Sequence, residues 1–281
     1  MISANIVLDS VNPDNDIRLI TSELTYPRFI HAEFMTHRMF SRNAASSRAI
    51  PIKKMVKKVL NTPAMPVSWG RNKTGMSAEE DLDIKVQRQA EAEWLSARDM
   101  AVFSANRMRD MGLHKQITNR IIEPWKNITV IVSATEYSNF FALRDHKDAQ
   151  PEIQELAKVW KKVIDESIPI KREWHIPYIQ DDEQELSLYD KVKMGVARCA
   201  RVSYLTHDGK RDIEKDMVLY DRLLTGSGHG HWSPFEHVAR ATELTEGRYD
   251  FCANEIKIGP IWCGNFRGWI QYRKIHKGET Q

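Results

Sequence analysis

Cysteine is scarce in this sequence: Cys199, Cys252 and Cys263 are the only three among 281 residues. Their odd number and the lack of any C-x-x-C spacing argue against a disulfide framework or a thiolate metal site and point to a reducing cytoplasm. An excess of one charge is missing too, because 41 lysines and arginines meet 38 acidic residues and leave a net charge of +3. That balance offers no broad positive field to nucleic acid, so an anionic ligand has to be met by local placement of donors. No apolar run reaches the roughly 18 residues of a membrane span, and MISANIVLDSVNPDND lacks the basic and apolar regions of a signal peptide. The expectation is an unprocessed cytoplasmic protein that binds neither membrane nor nucleic acid. The absence of G-x-G-x-x-G, G-x-x-x-x-G-K-[ST] and G-x-S-x-G disfavours a Rossmann cofactor site, a P-loop and a hydrolase elbow.

The sequence does have a 42% hydrophobic content, enough for a sizeable core. ANIVL at 4–8 reads as an edge or opening strand before the turn-rich VNPDND, and NTPAMPVSWGRNKTG at 61–75 reads as a surface loop. Ser77 and Glu80 have capping-box spacing, which predicts a helix just beyond them that runs to Gly112 with Val86, Ala90, Trp94, Ala97, Ala101, Ala105 and Met108 on one face. ITVIVSA at 128–134 is too short for periodicity to separate strand from buried helix. A helix from Pro151 buries Ile153, Leu156, Ala157, Trp160 and Ile164, and two more are expected near 188–200 and 212–224. The IPIKREWHIPYIQDDEQE stretch between them is an ordered joint, since Trp174, Ile176, Tyr178 and Ile179 can pack.

Three polar clusters carry the chemistry. THRMFSRNAASSRAIP, residues 36–51, concentrates His37, Arg38, Arg42 and Arg48 among serines and Asn43, with almost nothing large and apolar to bury. Arginine forks and serine hydroxyls in this density suit a phosphate cradle, and they equally suit a solvated loop. SGHGHWSPFEHVAR, residues 227–240, places His229, His231, Glu236 and His237 within nine positions, without the i, i+4 geometry of a zinc helix, so no metal site is expected. Ser233, Pro234 and Glu236 have the order of a helix start with a capping box, which beside three histidines suits an anion or a polar ring system; plain capping is the alternative. In NFFALRDHKDAQPEIQELA, Arg144 follows an aromatic run, and alone it reads as a surface ion-pair member.

Together the clusters resemble the flavin-dependent thymidylate synthases. That family's R-H-R, seven residues, serine signature is met by His37-Arg38, seven residues and Ser46, with Ser41, Asn43 and Arg48 in register. Its A-R-I-x-L-P segment, its asparagine five residues before an arginine and its A-Q-x-E-I are met by NRIIEP with Arg120, by Asn139 and Arg144, and by AQPEIQ. In the family, A-A-R-V-S-F and H-G-H-x-T-P-F-E-H precede the signature, whereas CARVSY (199–204) and HGHWSPFEH follow it here, so the chain resembles a circular permutation. NFRGWIQYRK (265–274) is similar to the family's R-Q-W-F-R-H-R passage.

The resemblance implies an α+β fold, with a central mostly antiparallel sheet and flanking helices, in one domain whose parts are 1–167 and 185–276. It implies FAD, with methylenetetrahydrofolate and NADPH as co-substrates, a homotetramer, and reductive methylation of dUMP to dTMP without a cysteine nucleophile. His37, Arg38, Asn43, Asn139, His231, Ser233 and Glu236 would face flavin, and Ser46, Arg48 and Arg120 the nucleotide phosphate. Arg144 and Ser46 are the implied catalytic residues, with Arg144 at the uracil edge. Five positions depart from the family pattern: Glu33 for glutamine, Thr36 for the first arginine, Ala44 for glutamate, Ser47 for glycine and Asp148 for histidine. An acidic Glu33 beside the base makes a cytosine nucleotide or a hydroxymethylated product the alternative expectation. Loss of catalysis with retained nucleotide binding is a further one.

Overall fold

Three long strands, largely buried or half-buried, make the frame. In the computed structural model, which describes residues 2–75, 77–78, 80–201, 212–226, 230–250, 254–276 and 279, β1 (Ser3–Val11) and β2 (Arg18–Pro27) form an antiparallel hairpin. A short helix α1 (His31–Phe34) leads to β3 (Ser41–Ala44), α2 (Ile52–Asn61), the long α3 (Ile84–Asp110) and α4 (Lys115–Ile121). Then come β4 (Asn127–Ala134), α5 (Ser138–Arg144), α6 (Pro151–Glu166), β5 (Ile170–Lys171), β6 (Trp174–His175), α7 (Leu188–Ala200) and α8 (Ile213–Thr225). A 3-10 turn at Ser233–His237 precedes β7 (Ala239–Ala241), the β8 (Thr245–Asp250) and β9 (Glu255–Pro260) hairpin, β10 (Trp262–Cys263), β11 (Phe266–Arg267) and β12 (Trp269–Gln271).

The main sheet has the order β3-β4-β2-β1-β5, antiparallel throughout except for the β1–β5 pair, as the α+β expectation required. β1 is therefore an inner strand beside the two-residue β5 rather than an edge. ITVIVSA is the core of β4, and it is largely apolar because both of its faces are buried from Val130 to Ala134, with Ser133 turned to polar partners. Ile128, Val130, Val132 and Ala134 join Leu24, Tyr26, Phe34, Phe40, Phe140 and Trp160 under α6. On the opposite face Ile131 meets Cys199 of α7, and Ser133 meets His237.

Helix α6 and its five predicted core residues lie as expected, all buried. Helix α3 instead begins at Ile84. The Ser77–Glu80 spacing forms no cap, because the Arg71 amide takes the Glu80 carbonyl and the Leu82 amide takes that of Trp69, which pairs 69–71 with 80–82. Of the predicted face, Trp94, Ala101 and Ala105 pack, while Val86 is exposed. Helix α2, which the reading of 61–75 as a loop left unassigned upstream, buries Ile52, Met55 and Val59 with lysines outside. The joint at 168–185 is ordered: Trp174 and Ile176 pack beneath α7, and Tyr178 donates to Glu23 at 3.0 Å.

A buried polar ladder crosses the second face of the sheet. Ser10 Oγ meets His175 Nδ1 at 2.8 Å, His175 Nε2 meets Thr21 Oγ1 at 2.7 Å, Thr21 meets Ser133 at 2.5 Å, and Ser133 meets His237 Nδ1 at 2.9 Å. Burial pushes both histidines down to about 3. They bind protons only on unfolding once the pH falls below about 6.5, so their contribution is full above that value and is lost as pH drops toward 3. The expected slope reaches about 2.7 kcal/mol per pH unit for the pair, read from urea midpoints between pH 7 and pH 4. His175→Asn should halve it, since His237 still contributes.

Candidate active site

Antiparallel pairing of β3 with β4, in which Ser41 faces Ser133 and Ala44 faces Val130, decides which residues meet. The start of the signature is brought to α5, just after β4, with Arg144. Its end is brought to α4, just before β4, with Arg120. The segment is not free of anchors, as its composition suggested: Phe40 and Ile50 are buried at its two ends.

At the first end, a cavity of about 190 Å³ is bounded by Thr36, His37, Arg38, Asn139, Leu143 and Arg144, among others. Arg144 Nε donates to His37 Nε2 at 2.9 Å, and its Nη1 pairs with Glu33. Phe140 stands edge-on to the His37 ring at 4.8 Å. Burial, then the positive charges of Arg144 and Arg42, lowers His37 to about 4, so its Nε2 remains an acceptor at neutral pH. His37 therefore holds a guanidinium instead of carrying charge itself. Arg42, which carried no assigned role, braces the same turn by donating to the Met35 carbonyl at 2.9 Å.

At the second end, Asn119 fixes the loop after β3 by donating to the carbonyls of Ser47 (2.7 Å) and Ile50 (2.9 Å). Glu123 accepts from Ser47 Oγ at 2.8 Å and from Arg120 at 3.2 Å. Ser46 and Arg48 are exposed. Glu123 stands where the family segment A-R-I-x-L-P has leucine, and the sequence reading missed it. Within one chain, Arg144 bonds to His37 and Glu33 while Arg120 bonds to Glu123, so the residues expected on the nucleotide lie in two groups at opposite ends of β3.

The SPFEH turn packs against β3, which brings the second cluster to the signature. The joint is Gln271, buried, which donates to Ser41 Oγ at 3.0 Å and to the Glu236 carbonyl at 3.5 Å. Neither Gln271 nor Arg273, which pairs with the Glu236 carboxylate, was singled out, although both lie in NFRGWIQYRK. The expected cap is absent: Ser233 is the first residue of a 3-10 turn whose N-cap is Trp232, because Glu236 is taken by Arg273. His231 is exposed and its amide donates to Leu223, while Val202–Tyr204 of CARVSY and His229 lie outside the described residues. Asn43 Nδ2 is buried and has no hydrogen-bond partner among the described residues. An unmet buried amide on the strand that joins the clusters fits an acceptor on a bound polar ring system.

Burial raises the thiols of Cys199 and Cys263, the two described cysteines, so neither is a ready thiolate. Among the described residues no His, Cys, Asp and Glu group could hold a metal ion, and no helix is long and apolar enough to cross a membrane.

No curated protein matches this chain. Solved structures similar to part of it include two of the UMP/dUMP methylase PolB from Streptomyces cacaoi. The one with 5-Br dUMP shares 17% identity over 53% of this chain and 67% of that chain, with a TM-score of 0.45. The one with 5-Br UMP shares 14% identity over 59% of this chain and 89% of that chain, with a TM-score of 0.47. Residues 19–170, which hold the signature, Arg120, Asn139 and Arg144 but stop before HGHWSPFEH, match the family model of the thymidylate synthase complementing protein. With more than half of its length in that match, the chain belongs to the flavin-dependent thymidylate synthase family and is an enzyme of methyltransferase type.

Proposed function

We propose that this enzyme methylates dUMP to dTMP reductively, with methylenetetrahydrofolate as the carbon donor and NADPH as reductant of bound FAD, in a homotetramer. One observation carries the reading: Arg144 is fixed by His37 and Glu33 at the wall of a cavity that the signature itself lines. A guanidinium oriented before substrate arrives stabilises the negative charge that builds on the uracil edge as C5 becomes nucleophilic, without reorganisation during the reaction. Ser46, Arg48 and Arg120 hold the phosphate, and the exposed Ser46 hydroxyl is free to orient the nucleotide. His37, Arg38, Asn43 and Asn139, with Glu236 and Ser233 from the SPFEH turn, hold flavin, which when reduced supplies the hydride. A cavity of about 190 Å³ encloses only part of such ligands, which favours completion of the site by partner subunits. The packing of the SPFEH turn on β3 favours a permuted chain in which this turn keeps its family role. Purified protein is expected to be yellow and to convert dUMP; a flavin-free preparation that cannot be reconstituted would overturn the proposal.

A second reading is favoured by Glu33, whose carboxylate is in contact with the very arginine that reads the base. A carboxylate there accepts from the exocyclic amine of cytosine and faces a carbonyl in uracil. Wild-type turnover of dUMP and dCMP, measured side by side, separates the two. In either case Glu33→Gln should raise dUMP turnover relative to dCMP, by about 5- to 100-fold, the worth of one base-edge contact. If dCMP is the substrate, the wild type should prefer dCMP and the variant should lose that preference.

A further inference from the structure

Lys126 lies outside all three polar clusters of the sequence. It leaves the 3-10 turn Glu123–Trp125 and enters β4; it is 5% exposed, and its Nζ has no hydrogen-bond partner among the described residues. An ammonium in that position is costly, because no acceptor among the described residues replaces its hydration. Its surroundings add to the cost. Arg28, Lys58 and Arg120 act on it with like charge, and Glu123 is the one carboxylate among the charges that act on it most strongly. Burial above all, against the opposing pull of Glu123, brings Lys126 down to about 8.

Glu123 meanwhile behaves as an internal stand-in for an anion. It accepts from Ser47 Oγ and from Arg120, the donors beside Ser46 and Arg48, and offsets Lys126 as well. Among the described residues Arg120 bonds only to Glu123, and its side chain is 55% exposed, so it can turn to a stronger acceptor. The surplus of positive charge fits a doubly charged oxyanion better than a single carboxylate.

We infer that Lys126 is a substrate-positioning residue whose ammonium adds to the binding of the nucleotide's phosphate monoester beside the Ser46–Arg48 loop and Arg120. The inference rests on the proposal that this loop is the phosphate end of the site. The test compares dUMP with deoxyuridine, which lacks the phosphate, and follows melting temperature with inorganic phosphate, in the wild-type holoenzyme, Lys126→Met and Lys126→Arg. Lys126→Met is expected to weaken dUMP by about 10- to 100-fold, to leave deoxyuridine unchanged and to melt no lower than the wild type without ligand. Lys126→Arg should keep most of the dUMP affinity, and the KM for dUMP should move more than kcat. Unchanged dUMP affinity in Lys126→Met overturns the inference, as does an equal loss for dUMP and deoxyuridine with a lower melting temperature. A wild type that binds dUMP no better than deoxyuridine removes the proposed phosphate end instead. Stabilisation by inorganic phosphate that Lys126→Met abolishes would still support the anion site in that case.

Discussion

Arg144→Ala is expected to lower turnover by at least about 10²- to 10³-fold, the effect of removing one preorganised donor from a developing negative charge. The loss should fall on kcat more than on KM for the nucleotide, because the group acts where charge builds up and not on the phosphate. Arg144→Lys should recover little. A lysine has no planar fork, so it cannot hold the His37 ring and the Glu33 carboxylate at once while also facing the base. The fold should survive, since Glu33 keeps access to water, with 27% of its side chain exposed. Steady-state kinetics on both variants, with melting curves as a control, reads the effect; near-wild-type turnover in Arg144→Ala would remove this arginine from the chemistry.

Arg198→Met is expected to be the most damaging substitution for stability. Arg198 lies on α7 with its side chain 1% exposed, and its two terminal nitrogens meet Glu183 at 2.6 Å each. Its Nε meets Asp216 of α8 at 2.8 Å, and Nη1 also donates to the Tyr178 carbonyl at 2.8 Å. One guanidinium thus ties the joint, α7 and α8 together. Removing it takes the bidentate guanidinium from two buried carboxylates, of which Asp216 keeps the more distant Arg201 at 3.4 Å and Glu183 the Gln180 amide at 3.0 Å, and this costs about 3–5 kcal/mol and a drop of roughly 10 °C in melting temperature. Glu183→Gln with Asp216→Asn in the same chain should restore part of the loss, because two buried negative charges are then gone. A melting temperature unchanged by Arg198→Met would show that α7 and α8 are held by apolar contacts alone, such as those of Val196, Tyr220 and Leu223.

Periodicity made α6 readable, because five apolar residues fall on one face and nothing competes for its backbone. The start of α3 was misread for the opposite reason: hydrogen bonds between Arg71 and Glu80 and between Leu82 and Trp69 take 69–82 into a fold-back that no local spacing announces. Strand β4 was ambiguous since burial on both faces erases the alternation that marks a strand. In the site, residue types alone left Arg144 as a surface ion-pair member; the family resemblance pointed to His37, Asn139 and Arg144 together, and all three line one cavity. Charge pairs across distant positions were not legible. Glu33 with Arg144, Glu123 with Ser47 and Arg120, and Arg273 with Glu236 depend on the β3–β4 register and on the packing of the SPFEH turn. Lys126 looks like an ordinary surface lysine in sequence, and only its burial sets it apart.

The most direct test of the proposed reaction is the mass of the nucleotide formed from dUMP when the flavin-loaded protein is given methylenetetrahydrofolate and NADPH. The expected product is dUMP with the C5 hydrogen replaced by a methyl group, heavier by CH2, formed by the wild type and not by Arg144→Ala. A product carrying a hydroxymethyl group, or unchanged dUMP alongside modified dCMP in a parallel incubation, would contradict it.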